Sequence, residues 1–438
     1  MRTQAVILSI GDELVLGQTL DTNGAWLAAK LAERGLQAAW HQTLPDDRDA
    51  IAEALAAASE RAELVLVTGG LGPTEDDLTR QALARAMGQP LELDEVSLAR
   101  IEAFYRERGR EMPERNRVQA MRPRGATMID NDAGTAPGVF AELGRARIYI
   151  MPGVPWEMKR MWGQSIEPDV AGLAGGRQVV LATKINTFGD GESDAAERLG
   201  ELMDRRRNPK LGTTVTGGIV SVRVRSEFPT AERAKDELEK TVAAVIERLG
   251  AVVFGRDEDT LQDAVVRLLE RHGKRLVTAE SCTGGLIGAM IADVPGCSQS
   301  YMGGWVTYSN VLKVEQLGVA KEALESVGAV SEEVARAMAA GAIRKAMGAD
   351  FSLAVTGIAG PEGGTKEKPV GTVWLALGVR DEQDAGRVTT RALRLTLPGG
   401  RGAVRDRAAK CALQMLRLHL LGEPLSRLRW GKEAQTRD

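Results

Sequence analysis

The sequence predicts an α/β protein in three parts. A doubly wound sheet domain covers residues 1–170, a small α+β domain 175–256 and a second α/β domain 258–424, followed by a polar tail, 425–438. Three observations predict this. Bare apolar runs such as Ala5–Ile10 and Leu64–Thr68 alternate with segments of helical spacing in the first third. Near residue 178 that order changes to strand–helix–strand–strand–helix–strand. The chain holds 49 glycines but only 4% aromatic residues, which suits tight strand–helix turns.

The elements follow in order. Ala5–Ile10 is an apolar strand ending at Gly11. Asn23–Arg34 has helical spacing through Leu27 and Leu31, Leu36–Thr43 is a strand, and Asp47–Arg61 is an alanine-rich helix. Leu64–Thr68 runs into a glycine-rich loop and a further helix. The βαβαβα order implies a site at the carboxyl ends of the strands. Residues 172–177 read as a loop. In the small domain, strand Gln178–Phe188, helix Ser193–Arg206 and strand Leu211–Thr216 lead to a Gly217-Gly218 turn. Strand Ile219–Glu227, helix Thr230–Leu249 and strand Ala251–Phe254 complete it. Helix Asp259–Arg271 and strand Lys274–Ala279 open the last domain, and Phe351–Val355 is a later strand. The tail from Leu425 is polar and expected to fray.

Composition narrows the function classes. Hydrophobic residues make up 43%, enough for large cores, and net charge is −3. With few aromatic rings and no long basic run, direct nucleic-acid binding is not expected. The cysteines, Cys282, Cys297 and Cys411, are far apart and lack metal or disulfide spacing. No apolar run approaches about 18 residues and the first residues lack signal-peptide anatomy, so a cytoplasmic protein without membrane partners is expected. Walker A and complete GxGxxG fingerprints are absent from the sequence.

The first chemical constellation is the loop after Leu64–Thr68. Its Gly69, Gly70 and Gly72 let backbone amides approach an anion. Thr74 and Asp76 are placed to cap the next helix, whose positive end favours phosphate. Asp76 and Asp77 beside a phosphate cradle make sense with a divalent metal between them. Asp12 and Glu13 end the first strand and are expected at the same sheet edge. Read singly, the acids serve equally as helix-start residues and the glycines as turns.

The second is sharper. Residues 278–285, TAESCTGG, form a small-residue turn between a strand and a helix. Ser281 there is placed to attack a carbonyl while the first free helix amides hold the oxyanion. The chain has three histidines, His41, His272 and His419, and none stands in a motif. The base is therefore sought at Lys313, in TYSNVLK (307–313), where burial would lower its pKa. Tyr308 and Asn310 lie beside it. Glu280 is placed to neutralise Lys313 or bind a ribose hydroxyl, with a position facing the substrate expected. Thr283, Gly284 and Gly285, together with Thr356, Gly357, Gly360, Gly363 and Gly364, suit a phosphate or planar ring approached by backbone. From local sequence alone, Ser281 reads equally as an N-cap, Lys313 as a surface lysine and Cys282 as a buried thiol.

These motifs, with GDELVLGQ (11–18), TGGLGPTEDDLT (68–79), GTAPG (134–138), PGVPWEM (152–158), GDGES (189–193), GAVSEEVA (328–335) and TGIAGPEGG (356–364), resemble the CinA competence/damage-inducible family over nearly the whole chain. The first part resembles the molybdopterin-binding fold. The resemblance implies an N-terminal ADP-ribose pyrophosphatase, releasing AMP and ribose 5-phosphate with a divalent metal of unspecified identity. Asp12, Glu13, Asp76 and Asp77 would be its metal region, and Gly69, Gly70, Gly72, Thr74 and Glu192 its substrate contacts. It implies a C-terminal nicotinamide-mononucleotide amidohydrolase without cofactor, with Ser281 as nucleophile, Lys313 as base and Tyr308 and Glu280 assisting. The family pattern Gly-Asp-Arg is here Gly399-Gly-Arg401, leaving Arg401 and Arg405 for the phosphate. A homodimer packed through the small domain is expected. Two alternatives stand beside this reading: a non-enzymatic nucleotide- or pterin-binding first domain, and an adaptor role in competence or DNA damage.

Overall fold

The computed structural model describes all residues except 1–4, 37, 172, 174–178, 382, 385, 429–434 and 438. Most of the loop expected at 172–177 lies outside the described residues. Two compact units form: Met1–Leu181 with Ser226–Asp236, and Ala182–Arg225 with Glu237–Asp438.

In the first unit, β1 (Ala5–Ile10), α1 (Thr22–Glu33), β2 (Ala38–Leu44), α2 (Arg48–Arg61), β3 (Leu64–Thr68) and α3 (Thr79–Met87) realise the predicted alternation. They are followed by α4 (Glu95–Arg106), β4 (Thr127–Ile129), β5 (Gly138–Leu143), β6 (Ala146–Met151) and α5 (Pro155–Met161). The sheet order is β2-β1-β3-β6-β5-β4. The first four strands are parallel, whereas β5 and β4 are antiparallel additions. Val6, Leu8, Val65 and Val67 pack with Ile51 and Leu55 of α2. Ile7, Leu64 and Leu66 pack with Leu27 and Leu31 of α1 and with Met158 and Met161 of α5. Helices on both faces explain why β1 and β3 are buried at every position and largely apolar. Gly69 N donates to Met151 O at 3.1 Å and Gly11 N to Leu44 O at 3.0 Å. The loops that leave β1, β3 and β6 are thereby gathered at one sheet edge.

Residues 179–256 form a small α+β layer, most of which falls in the second unit. It comprises β7 (Val179–Phe188), α6 (Glu192–Leu199), β8 (Lys210–Thr216), β9 (Ile219–Phe228), α7 (Ala231–Leu249) and β10 (Val253–Arg256), in the sheet order β8-β9-β7-β10. Gly217 and Gly218, at φ 56° and 82°, make the β8–β9 turn. The helix predicted to reach Arg206 stops at Leu199, because Gly200 takes φ 52° and a 3₁₀ turn follows.

The rest of this unit carries α8 (Leu261–His272), β11 (Leu276–Glu280), α9 (Leu286–Ala292), β12 (Tyr301–Val306), α10 (Asn310–Leu317) and α11 (Glu332–Lys345). It continues with β13 (Phe351–Gly357), β14 (Thr372–Arg380), β15 (Val388–Thr396), α12 (Arg401–Leu420) and β16 (Gln435–Arg437). The sheet order is β12-β11-β13-β14-β15-β16, parallel across the first three strands and antiparallel beyond. The tail is thus not wholly frayed: its last strand pairs with Ala392–Arg394, while 429–434 and 438 lie outside the described residues. Helix α12 is buried along most of its length and shares one apolar core with Phe188 and Phe254. Gln414 donates to Phe188 O at 3.0 Å and Arg417 to Ala251 O at 2.6 Å. Burial holds the Arg417 guanidinium down to about 10. Among the described residues no helix is long and apolar enough to cross a membrane.

Gly341 lets α11 approach the end of α10, since a Cβ there would stand 2.0 Å from Leu317 O. Gly341→Ala therefore sets a helix-propensity gain of about 1 kcal/mol against a backbone clash costing about 1–3 kcal/mol. The clash is expected to win, because a carbonyl in a packed helix cannot swing aside. A lower denaturant midpoint in Gly341→Ala tests this, and a raised midpoint contradicts it.

Candidate active sites

The serine turn is built on the end of β11. Ser281 N donates to Val355 O at 2.9 Å, which carries the β11–β13 pairing one residue further. Gly284 and Gly285 then adopt φ 62° and 89°, conformations that a side chain disfavours. Helix α9 starts only at Leu286, so Ser281 is not its N-cap. The first free amides of that helix are already taken. Glu280, 1% exposed, accepts from Ile287 N at 3.1 Å and Gly288 N at 2.9 Å. Glu280 therefore braces the turn from behind and does not face a substrate, which corrects two expectations at once. The amides of Cys282, Thr283 and Gly285 are the free donors of the turn: among the described residues none has an acceptor on another residue.

Lys313 comes from the neighbouring strand crossover. Thr307 N donates to Glu280 O at 2.8 Å, prolonging the β12–β11 pairing, and Ser309 Oγ caps α10 by accepting from Leu312 N. One turn into α10, Lys313 is 1% exposed. Its Nζ lies 3.0 Å from Ser281 Oγ, 2.8 Å from Thr307 O and 3.3 Å from Tyr308 O. Among the described residues no carboxylate pairs with it, and burial holds its pKa below the ordinary lysine value. Burial pushes the adjacent Cys282 thiol up to about 12, which keeps it protonated. His419 packs on Phe351, at the opposite end of β13 from Val355, so it does not serve Ser281.

The surrounding candidates divide. Arg401 Nη2 donates to Tyr308 OH at 2.7 Å and Nη1 to Gly360 O at 3.0 Å, so this guanidinium ties the tyrosine to the 356–364 loop. One turn on, Arg405 donates to Thr283 O at 2.8 Å. Asn310 is exposed at the first position of α10. Thr356 is buried and donates to Ala329 O at 2.8 Å, so its hydroxyl anchors a loop. Gly357 makes room for the serine turn, as a Cβ there would lie 3.1 Å from Cys282 Sγ. Gly360 and Gly363 take φ 81° and 88°, and a Cβ on Gly364 would meet Val370 N at 2.7 Å. Thr283 is fully buried, and among the described residues its hydroxyl has no partner.

In the other unit a cavity of about 400 Å³ opens at the strand ends, lined by the Gly69–Gly72 loop, Glu13, Asp46, Thr74, Asp76, Asp77 and Glu157. Gly69 and Gly70 permit close packing: a Cβ would lie 2.3 Å from Ile10 O or 2.1 Å from Thr79 Oγ1. Asp77 accepts from Gly72 N at 2.6 Å, from Thr74 N at 2.9 Å and from the Thr74 hydroxyl. Helix α3 begins at Thr79 without a side-chain cap, so Thr74 and Asp76 do not cap it. Arg80, fully buried, donates to Leu71 O and Gly72 O beneath the loop. Asp12 lies outside the lining and exchanges amide–carboxylate hydrogen bonds with Asp46. Burial, with the charges of Asp12, Asp76 and Glu13 beside it, raises the Asp46 pKa. Among the described residues no three His, Cys, Asp or Glu side chains are grouped to hold an ion. Glu192 belongs to the other unit, where it accepts from Thr213 Oγ1 at 2.6 Å.

Residues 258–420 match the model of the CinA C-terminal domain, 6–172 that of a probable molybdopterin binding domain, and 182–255 that of the damage-inducible protein CinA KH domain. A putative competence-damage inducible protein of Symbiobacterium thermophilum is 45% identical, covering 95% of this chain and 99% of its own length. The chain belongs to the CinA family. A CinA-like protein of Kosmotoga olearia, 40% identical over 95% of this chain and 99% of its own, and one of Geobacter sulfurreducens, 42% identical over 94% and 98%, have the same extent. In this CinA-family chain the Ser281–Lys313 pair lies within the CinA C-terminal match and the glycine loop within the molybdopterin-binding match.

Sequence reasoning missed Asp46 and Arg80. Asp46 was accessible in principle, since it follows β2 as Asp12 follows β1, and β1 and β2 are parallel neighbours. Nothing in the local sequence marks Arg80.

Thiol accessibility tests this description of the serine turn. Cys282 and Cys411 are buried and Cys297 is half-buried. Native protein near pH 8 is expected to take one alkyl group, at Cys297, and three in denaturant. Rapid native labelling of Cys282 would contradict the buried, protonated thiol.

Proposed function

We propose that the C-terminal part is a serine–lysine amidohydrolase of nicotinamide mononucleotide and the N-terminal part a hydrolase of ADP-ribose. The observation that carries the first reading is the 3.0 Å contact between Lys313 Nζ and Ser281 Oγ, inside protein and without a carboxylate. A neutral lysine removes the Ser281 proton as Oγ attacks the carboxamide carbon. The oxygen of the tetrahedral adduct takes the amides of Cys282 and Thr283. The ammonium of Lys313 returns its proton to the departing nitrogen, which leaves as ammonia. Water, deprotonated by the same lysine, then cleaves the Ser281 ester to the carboxylate product. Arg401, steadied by Tyr308 and Gly360, suits the phosphate of the mononucleotide.

For the N-terminal cavity the support is a glycine loop held open from below by Arg80 and from the side by Asp77. One or two of Glu13, Asp46 and Asp76 would hold a divalent ion that arrives on a diphosphate, since magnesium is commonly held by one or two carboxylates plus substrate oxygens. Such an ion supplies charge neutralisation at the phosphoryl group that is attacked.

Two sets of measurements test these readings. Ser281→Ala is expected to lower deamidation on the order of 10³-fold and to spare ADP-ribose cleavage. Lys313→Arg is expected to be nearly inactive in deamidation, because guanidinium does not release its proton. In wild type the rate should rise with pH through the depressed pKa of Lys313 and fall away below it, where the base is protonated. The same depression means that the unfolded chain binds more protons between the folded and free-lysine values, so the Lys313 contribution to stability grows with pH across that window. High activity in Lys313→Arg sinks the mechanism.

At the other site, Asp46→Asn and Asp76→Asn should weaken ADP-ribose cleavage in a way that excess magnesium partly restores. Asp77→Asn should weaken it without such rescue, because one of the two oxygens that accept from Gly72 N and Thr74 N becomes an amide nitrogen and one loop amide loses its acceptor. Equal rescue of all three would place Asp77 with the metal instead. No AMP release from wild type with any divalent ion would leave the cavity a binding module.

A further inference from the structure

Four successive carbonyl groups of the glycine loop are held by the first two residues of α3. Gly69 O accepts from Thr79 Oγ1 at 2.9 Å and Gly70 O from Thr79 N at 3.3 Å. Leu71 O accepts from Arg80 Nη2, and Gly72 O from Arg80 Nη1 at 3.4 Å. Thr79 and Arg80 are both fully buried. We propose that Thr79 is a positioning residue that aims the amides of Gly70 and Leu71 at a phosphate group in the cavity; this rests on reading that cavity as a diphosphate site.

A trans peptide is planar, and its carbonyl and N–H point opposite ways. Thr79 draws the carbonyls of Gly69 and Gly70 toward α3, so the N–H groups of Gly70 and Leu71 face away from it. Among the described residues these two amides have no acceptor, and both residues line the cavity. Successive backbone amides of this kind make a concave site for an anion. The following positions offer no such donor. Gly72 N donates to Asp77 at 2.6 Å, and residue 73 is a proline. Thr79 therefore governs the part of the loop whose amides are free, while Arg80 and Asp77 hold the two ends of the peptide after it.

Packing leaves the Thr79 hydroxyl little freedom. A Cβ on Gly70 would stand 2.1 Å from Thr79 Oγ1 and 3.2 Å from its Cβ, so the glycine is what lets the hydroxyl come this near. Arg80 adds charge to the same support. Burial holds its guanidinium down to about 10, which still leaves it protonated at neutral pH. It sets a positive charge behind a loop whose cavity is lined by carboxylates, among them Glu13, Asp46 and Asp76. Amides fixed in this way need no rearrangement when an anion arrives, which lowers the ordering cost of binding.

Calorimetry on the full chain with magnesium tests the proposal, with inorganic pyrophosphate as the probe. Thr79→Val keeps the shape and the backbone amide but lacks the hydroxyl. It is expected to bind pyrophosphate about tenfold more weakly, the loss that follows when one hydrogen bond to a charged group is spoiled. Thr79→Ser, which keeps the hydroxyl, should restore most of the affinity. Excess magnesium should restore Asp46→Asn but not Thr79→Val, because the amides and not the metal are displaced. Near-UV circular dichroism, to which the edge-to-face pair of Trp26 and Trp162 contributes, reports that the N-terminal unit is folded. Should Thr79→Val lose that spectrum, Thr79→Ala carries the same expectation. Wild-type affinity in Thr79→Val overturns the proposal. So does equal weakening in Thr79→Ser, which would make packing the cause. So does full rescue of Thr79→Val by magnesium, which would place the hydroxyl with the metal. Failure of wild type to bind pyrophosphate overturns the diphosphate reading itself.

Discussion

A lysine side chain held inside protein without a counter-ion is the constraint on which the C-terminal half depends. Lys313 has a hydroxyl and two carbonyl oxygens for company, and all three come from the ends of adjacent strands or the turn between them. A buried ammonium in that setting is costly, and the cost falls when the proton leaves. In the proposed mechanism the same arrangement makes the group a base and aims it at Ser281. The parallel register of β11 with β12 and β13 fixes the geometry, because Thr307 N and Ser281 N both extend that pairing past the strand ends.

Acids at these loops do structural work that their motifs conceal. Glu280 and Asp77 each stand where a catalytic or metal-binding carboxylate would be sought, and each spends its oxygens on backbone amides. The reason is local. Glycine-rich turns expose several amides that have no partner in the turn itself, and an ionised carboxylate is the strongest acceptor available nearby. With Glu280 on the helix amides, the turn amides at Cys282, Thr283 and Gly285 are left as donors, and the proposed mechanism uses the first two. With Asp77 on the loop, Asp46 is left as a carboxylate whose pKa is raised by burial and by the charges of Asp12, Asp76 and Glu13.

Much of the architecture was legible because one force wrote it into the pattern. Two-sided burial makes β1 and β3 continuous apolar runs, and the Gly217-Gly218 pair announces its hairpin. The antiparallel edge at β4–β5 was not legible, since sheet edges lack that two-sided pattern. Neither was β16: a polar, edge-lying strand looks like a tail. The Ser281–Lys313 pairing was legible through the family resemblance of the motifs that carry both residues, but the roles of Glu280, Thr356 and Asp77 depend on where their carboxylates and hydroxyls turn, which motifs do not encode. Arg80 shows the limit most clearly. A fully buried arginine held by two loop carbonyls carries no signature in its own neighbourhood of sequence.

The central claim is that Lys313 is neutral in the working protein, and a residue-resolved titration of lysine side chains addresses it most directly. NMR of protein labelled with ¹³C at the lysine ε-carbon, followed over alkaline and neutral pH, should reveal one lysine titrating well below the others. That resonance should be missing in Lys313→Arg. A spectrum in which Lys313 titrates with the surface lysines would contradict the account, because the charged form would then be as comfortable in this site as it is in water.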